Sequence, residues 1–183
     1  MLMPSGNRAS TVSPETTSGI FICQDQSMKP EHLTEISKRF MRLKMLAEEY
    51  FALPDGALIE FHLQLLRIFD IRRSKHGKSH PHNKKWVCIS RRSLKHYVES
   101  RRKELLKNHP EAETLNKILF GIENIKETIA DFDKYELEPP SHAYSKDYSN
   151  IGFPSLRIML DLKGRHLEIR SIHFTKTKKR LPD

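Results

Sequence analysis

Residues 156–174 read LRIMLDLKGRHLEIRSIHF. Leu156, Ile158, Leu160 and Leu162 alternate with Arg157, Met159 and Asp161; Lys163-Gly164-Arg165 supplies a turn; Leu167 and Ile169 then alternate with Glu168 and Arg170. A period of two sends successive side chains to opposite faces, so the stretch is predicted to be a β-hairpin with one apolar and one polar face. After Ile169 the apolar phase slips by one, because the next large apolar residues are Ile172 and Phe174. A single β-bulge near Arg170-Ser171 would restore the core face. Glu168, His173 and Thr175 would then stand on the polar face, alongside Arg157 of the paired strand.

Upstream of the hairpin, residues 141–153 read as a polar loop carrying Tyr144 and Tyr148, and Pro139-Pro140 closes whatever precedes it. From Glu127 to Glu136 two readings compete. Ile122, Ile125, Ile129 and Phe132 extend a helical stripe, while Thr128, Ile129, Phe132 and Tyr135 are strand formers. A helix from Glu111 carries Leu115, Ile118, Leu119 and Ile122 on one side. Another runs from a Ser90 cap to about Asn108, after a short strand-like run Trp86-Val87-Cys88-Ile89. Residues 72–85, RRSKHGKSHPHNKK, have no periodicity and are expected to be an exposed basic loop. Ala57 to Ile71 is ambiguous, with a weak preference for a buried helix. Leu33, Ile36, Phe40, Leu43, Leu46 and Tyr50 mark an amphipathic helix that ends before Pro54-Asp55-Gly56. The predicted class is therefore α+β: N-terminal helices, then two helices packed on a small antiparallel sheet. The expected division is a disordered tail over 1–28, rich in Ser and Thr, a helical segment and basic loop over 29–83, and an α+β domain over 84–183.

The chain has 183 residues and a formal charge of +9, and its cations are unevenly placed. Residues 71–108 hold 13 basic against 2 acidic side chains and residues 163–183 hold 7 against 2, while 109–140 reverse the balance with 3 against 8. Cations gathered in blocks suit a polyanion, so nucleic acid is the expected partner. A charge run can equally be a solvated face. Neither block is a clean amphipathic helix, and no run of about eighteen apolar residues occurs, so no membrane partner is expected. Cys23 and Cys88 stand in no CxxC spacing, which disfavours a disulfide scaffold or zinc ribbon and makes a reducing, cytoplasmic setting the default.

The polar strand face offers an acid, a base and cations. Metal-free RNA cleavage needs such a set: a base for the ribose 2′-hydroxyl, an acid for the leaving 5′-oxygen and fixed positive charge for the phosphorane. A polar outer face in any α+β protein would carry similar residues. On the helix after Ser90, Leu94, Val98 and Leu105 form the apolar stripe and Arg101 falls at its edge, where it would pair with a carboxylate or reach a phosphate. His96 lies about 200° from Leu94, with Arg92, Ser100 and Lys103, so it is not expected to share a face with Arg101. His76, His80, His82 and Cys88 are metal-ligand types, yet their spacing fits no structural site and the surrounding cations oppose one. Neither a metal nor another cofactor is expected. GxxxxGK[ST], GxSxG and HExxH are absent, as is a GxGxxG following a strand.

The order of parts, Trp86–Ile89 strand, SRRSLKHYVESRR helix (90–102), a second helix and a terminal sheet ending His173-Phe-Thr-Lys176, resembles the small metal-independent nucleases of the barnase, EndoU, colicin and RelE group, particularly phage-associated members. The resemblance covers about residues 84–180 and rests on a Lys-His pair on the first helix and a Thr with basic neighbours on the last strand. It implies two helices before a four-stranded antiparallel sheet, with Phe132–Tyr135 in a strand. It further implies an RNA cleft lined by Lys95, His96, Arg101, His173, Thr175 and Lys176. The function expected is a metal-independent endoribonuclease, a toxin or phage-borne effector with a possible cognate inhibitor. The expected catalytic set is His173, His96, Arg101, Glu168 and Thr175. Arg91, Arg92, Lys95, Arg157, Lys176, Lys178 and Lys179 would bind RNA. Two alternatives stand beside it: a non-catalytic nucleic-acid-binding module, and a protein-interaction module docking through the N-terminal helices.

Overall fold

The computed structural model describes residues 34–59, 65–71 and 79–175. The expected N-terminal tail, His76, Lys176, Lys178 and Lys179 lie outside them. The chain runs α1 (Glu35–Ala52), β1 (Leu65–Asp70), β2 (Trp86–Ser90), α2 (Arg91–Leu105), α3 (Glu111–Glu123), α4 (Ile125–Ala130), β3 (Lys134–Glu138), β4 (Ser141–Lys146), β5 (Ser155–Lys163) and β6 (His166–Thr175). The fold is α+β. Six strands form one mixed sheet in the order β1-β2-β6-β5-β4-β3, with β2 and β6 parallel and the other neighbours antiparallel. No helix among the described residues is long and apolar enough to cross a membrane.

The hairpin forms as its alternation requires. Gly164 takes a left-handed φ of 57° in the turn, and Lys163 pairs with His166. Leu160 faces Ile169 but Met159 faces Ser171, so Arg170 is the extra residue of a bulge. Ile172 thereby returns to the core at 2% exposure. Helix starts are also chemically explicit. The Thr34 and Ser90 hydroxyls accept from the backbone N–H groups of Ser37 and Ser93, at 3.2 and 3.1 Å, satisfying donors that the first helical turn leaves open.

Three expectations change. Within 57–71, Leu65–Asp70 is an edge strand, β1, whose own bulge at Ile68 buries both Ile68 and Phe69. The competing readings at 127–136 are both correct in turn, with helix to Ala130 and strand from Lys134. Residues 141–146 are a strand inside the sheet rather than a loop, and Tyr144 is fully buried. Leu43 and Tyr50 of α1, Ile68 of β1, Val98 of α2 and Ile172 of β6 belong to one apolar cluster.

The loop expected to be wholly exposed is anchored at its C-terminal end, where His80 and His82 are 3% and 8% exposed. His80 Nε2 donates to the Ile129 carbonyl at 2.8 Å, and its Nδ1 accepts from the His82 N–H at 3.1 Å. His82 Nδ1 lies 2.6 Å from the Tyr144 hydroxyl, with the His142 ring 4.3 Å from its own. Neutral imidazoles can be buried where both partners and aromatic contacts are supplied, which hydropathy alone does not register. Burial, reinforced by the nearby His142, His80 and Lys85, lowers the His82 pKa from 6.5 to about 4. The unfolded chain therefore takes up a proton at His82 that the native state refuses. Stability is expected to fall as pH drops from 6.5 towards 4, by on the order of 2 kcal/mol from this residue. Denaturant melts at pH 7 and pH 4.5 check it: His82→Gln should flatten the loss, and an equal loss in wild type and variant would remove His82 as its source.

Candidate active site

The parallel pairing of β2 with β6 ends after Trp86–His166, Val87–Leu167 and Cys88–Glu168. The chain then leaves the sheet at Ser90 and enters α2, which packs against the second half of β6. A cleft opens between them. His96, Tyr97, Ser100 and Arg101 of α2 line one side, and Arg170, Ser171, Ile172 and His173 of β6 line the other. Its free volume is about 60 Å³, whereas pockets that enclose small molecules run to roughly 300–1,000 Å³. A phosphate or ribose edge fits such a space with the rest of a polymer outside.

His173 is half-buried, and its Nε2 lies 2.8 Å from the Ser171 hydroxyl. Burial, then the charge of Arg101, holds its pKa below the usual histidine value; Arg157 and His96 act in the same direction and Glu104 opposes them. The imidazole is thus neutral near pH 7, the form that accepts a proton. Arg101 is tied to Glu104 at 2.5 Å with its side chain 14% exposed, and its buried Nε has no hydrogen-bond partner. Tyr97 forms the floor, its hydroxyl donating to the Ile118 carbonyl at 3.0 Å. His96 is exposed at the rim. His96 and Arg101 stand about 140° apart on α2, but Tyr97 and Ser100 fill the arc between them and all four meet one cleft. The expectation that they would need opposite sides of the helix is corrected by the length of their side chains.

No known family, curated protein or solved structure matches this chain. The site is therefore read from its own chemistry.

The remaining expected residues separate by their contacts. Arg157 pairs directly across from His173, but its guanidinium is held by Glu136 at 2.8 Å and by Glu138. It acts as a fixed charge near His173, not as a free phosphate ligand. Glu168 faces Asp161 while His173 faces Arg157, four positions apart along β5, or about 13 Å at strand rise, which removes Glu168 as a direct proton partner. Thr175 donates its hydroxyl to the Ser155 carbonyl at 3.3 Å and does not line the cleft. Lys95 is buried against Glu99, and Arg91 Nε donates to the Tyr50 hydroxyl at 3.2 Å, so both are committed within the fold. Arg92 is exposed.

Ser100, Ser171, Tyr97 and Arg170 are site residues that the sequence reading did not select. Ser171 was recoverable: once the bulge is placed at Arg170, it lies two residues before His173 on the same face. Arg170 Nη1 donates to Ser141 Oγ at 3.2 Å, and Ser141 in turn donates to Asp161 at 2.6 Å. That chain braces the bulge across the sheet. Among the described residues no group of three or more His, Cys, Asp or Glu side chains is placed to hold a metal ion.

Proposed function

We propose that this chain cleaves RNA by acid–base chemistry in the cleft between α2 and β6. The observation that carries the reading is the meeting of a half-buried neutral imidazole, His173, with the Arg101 guanidinium and His96 in one water-open cleft. His173 takes the proton of the ribose 2′-hydroxyl. The 2′-oxygen forms a bond to phosphorus as the bond to the 5′-oxygen breaks, and that oxygen receives a proton from His96 acting as the general acid. Arg101 supports the phosphorane charge with its guanidinium, whose planar fork is suited to phosphate oxygens. The products are a 2′,3′-cyclic phosphate and a 5′-hydroxyl.

From β2 the chain passes through three helices, the last a short one, to a terminal run of four strands, where the nuclease resemblance implies two helices before four strands. A cytoplasmic toxin or phage-borne effector restrained by a cognate inhibitor is the setting it suggests. Incubation of the purified protein with total RNA in EDTA tests the reading: discrete fragments with cyclic phosphate ends are expected. Intact RNA would overturn catalysis, and a salt-dependent gel shift of that intact RNA would identify a binding module instead.

A further inference from the structure

A second feature lies away from this cleft, where α1 meets β1 and β2. Two openings there share Arg39. One, of about 340 Å³, is cationic, with Arg39, Arg42 and Arg67 among its walls and Glu35 as its acidic member. The other, of about 290 Å³, is largely apolar: Ile36, Phe69, Ile71, Trp86 and Ala130 line it, with Asp70 and Lys126 as further charged groups. Trp86 joins the two, since the guanidinium carbons of Arg39 and Arg67 lie 5.5 and 5.6 Å from its ring centre. Arg42 and Arg67 are exposed and make no ion pair among the described residues, and Arg39 has only an exposed pair with Glu35 at 3.3 Å.

An apolar chamber walled by an aromatic ring, beside a chamber of arginines with which it shares Arg39, has the polarity of a nucleotide: a flat base at one end and phosphate at the other. We infer that this groove seats a nucleotide of a single-stranded RNA, the base beside Trp86 and the flanking phosphates on Arg39, Arg42 and Arg67. It rests on the RNA reading above for the choice of polymer. The groove holds the strand while a separate part of that strand enters the α2–β6 cleft.

Trp86 is the only tryptophan in the chain, so its emission reports on this groove alone. Titration with a 2′-O-methyl oligouridylate of about twelve nucleotides, which 2′-hydroxyl attack cannot cleave, is expected to quench it. The doubly substituted Arg42→Ala, Arg67→Ala protein, altered only at exposed positions, should bind at least tenfold more weakly. Its slope of log affinity against log salt should fall by roughly 1.4, two lost phosphate contacts at about 0.7 each. Unchanged emission when a labelled oligomer has saturated the protein would overturn the inference. So would undiminished affinity in the double variant, equal affinity for free uridine monophosphate, or equal quenching by polyglutamate. The two readings fail separately. Cleavage without quenching removes the groove alone, whereas quenching without cleavage removes the nuclease and leaves the groove.

Discussion

Replacing His173 by Ala is expected to lower RNA cleavage in EDTA by about 10²–10⁴-fold, the usual contribution of a positioned general base. The fold should survive. His173 is half-buried and its side-chain hydrogen bond is to Ser171, which is itself partly exposed, so no buried donor is stranded by the change. Its neutral form is favoured by burial and by Arg101, so the acid limb of the wild-type rate profile should lie below the ordinary histidine pKa. In a variant that retains its melting temperature, the remaining rate should also lose that limb. Single-turnover cleavage of a defined oligonucleotide across pH 4.5–8 measures both. Unchanged cleavage in a folded His173→Ala protein would take the imidazole out of the chemistry, and with it the assignment of the cleft.

The second large effect lies beneath the site. Gly121 of α3 packs so closely on α2 that an added Cβ would meet the Tyr97 hydroxyl at 2.1 Å and its ring carbon Cζ at 3.2 Å, with Phe174 at 3.5 Å. The Tyr97 hydroxyl cannot simply swing away, because it is buried and donates to the Ile118 carbonyl. Gly121→Ala should therefore cost about 2–4 kcal/mol through overpacking and the loss of that hydrogen bond. For a chain of this size that lowers the melting temperature by roughly 5–15 °C. Tyr97→Phe removes the closest atom, so the double variant should be less destabilised than the sum of the singles, and a thermal double-mutant cycle measures the difference. A Gly121→Ala melt within about 0.5 kcal/mol of wild type would contradict the tight contact.

The hairpin, its bulge and the Ser90-capped helix were legible because each is written in local periodicity or a single capping residue. The strand nature of 65–70 and 141–146 was not. In β1 a bulge breaks the alternation, and in β4 the polar residues Ser141 and His142 are satisfied by neighbouring strands, Ser141 by Asp161 twenty residues on and His142 by Tyr135 of β3. Buried polarity of that kind looks like a loop until its partners are known. The site divides the same way. His173 followed from strand phase and Arg101 from its place at the edge of a stripe, but their meeting depends on where β2 stops pairing with β6. Arg157 came from strand phase and Lys95 from the helix resemblance, but the carboxylates that occupy them, Glu136, Glu138 and Glu99, come from tertiary neighbours or the next helical turn.

The place of β6 in the sheet also sets an order for biosynthesis. It is the last described strand to be made, yet it lies between β2 and β5. Until it emerges from the ribosome, β1-β2 and β3-β4-β5 are two unjoined half-sheets, and joining them closes a loop of nearly the whole intervening chain, a slow step by its sequence separation. His173, Ser171 and Arg170 arrive on that same strand. A nascent chain therefore has neither a continuous sheet nor a cleft until β6 has emerged, and whatever chemistry the cleft performs waits for that strand.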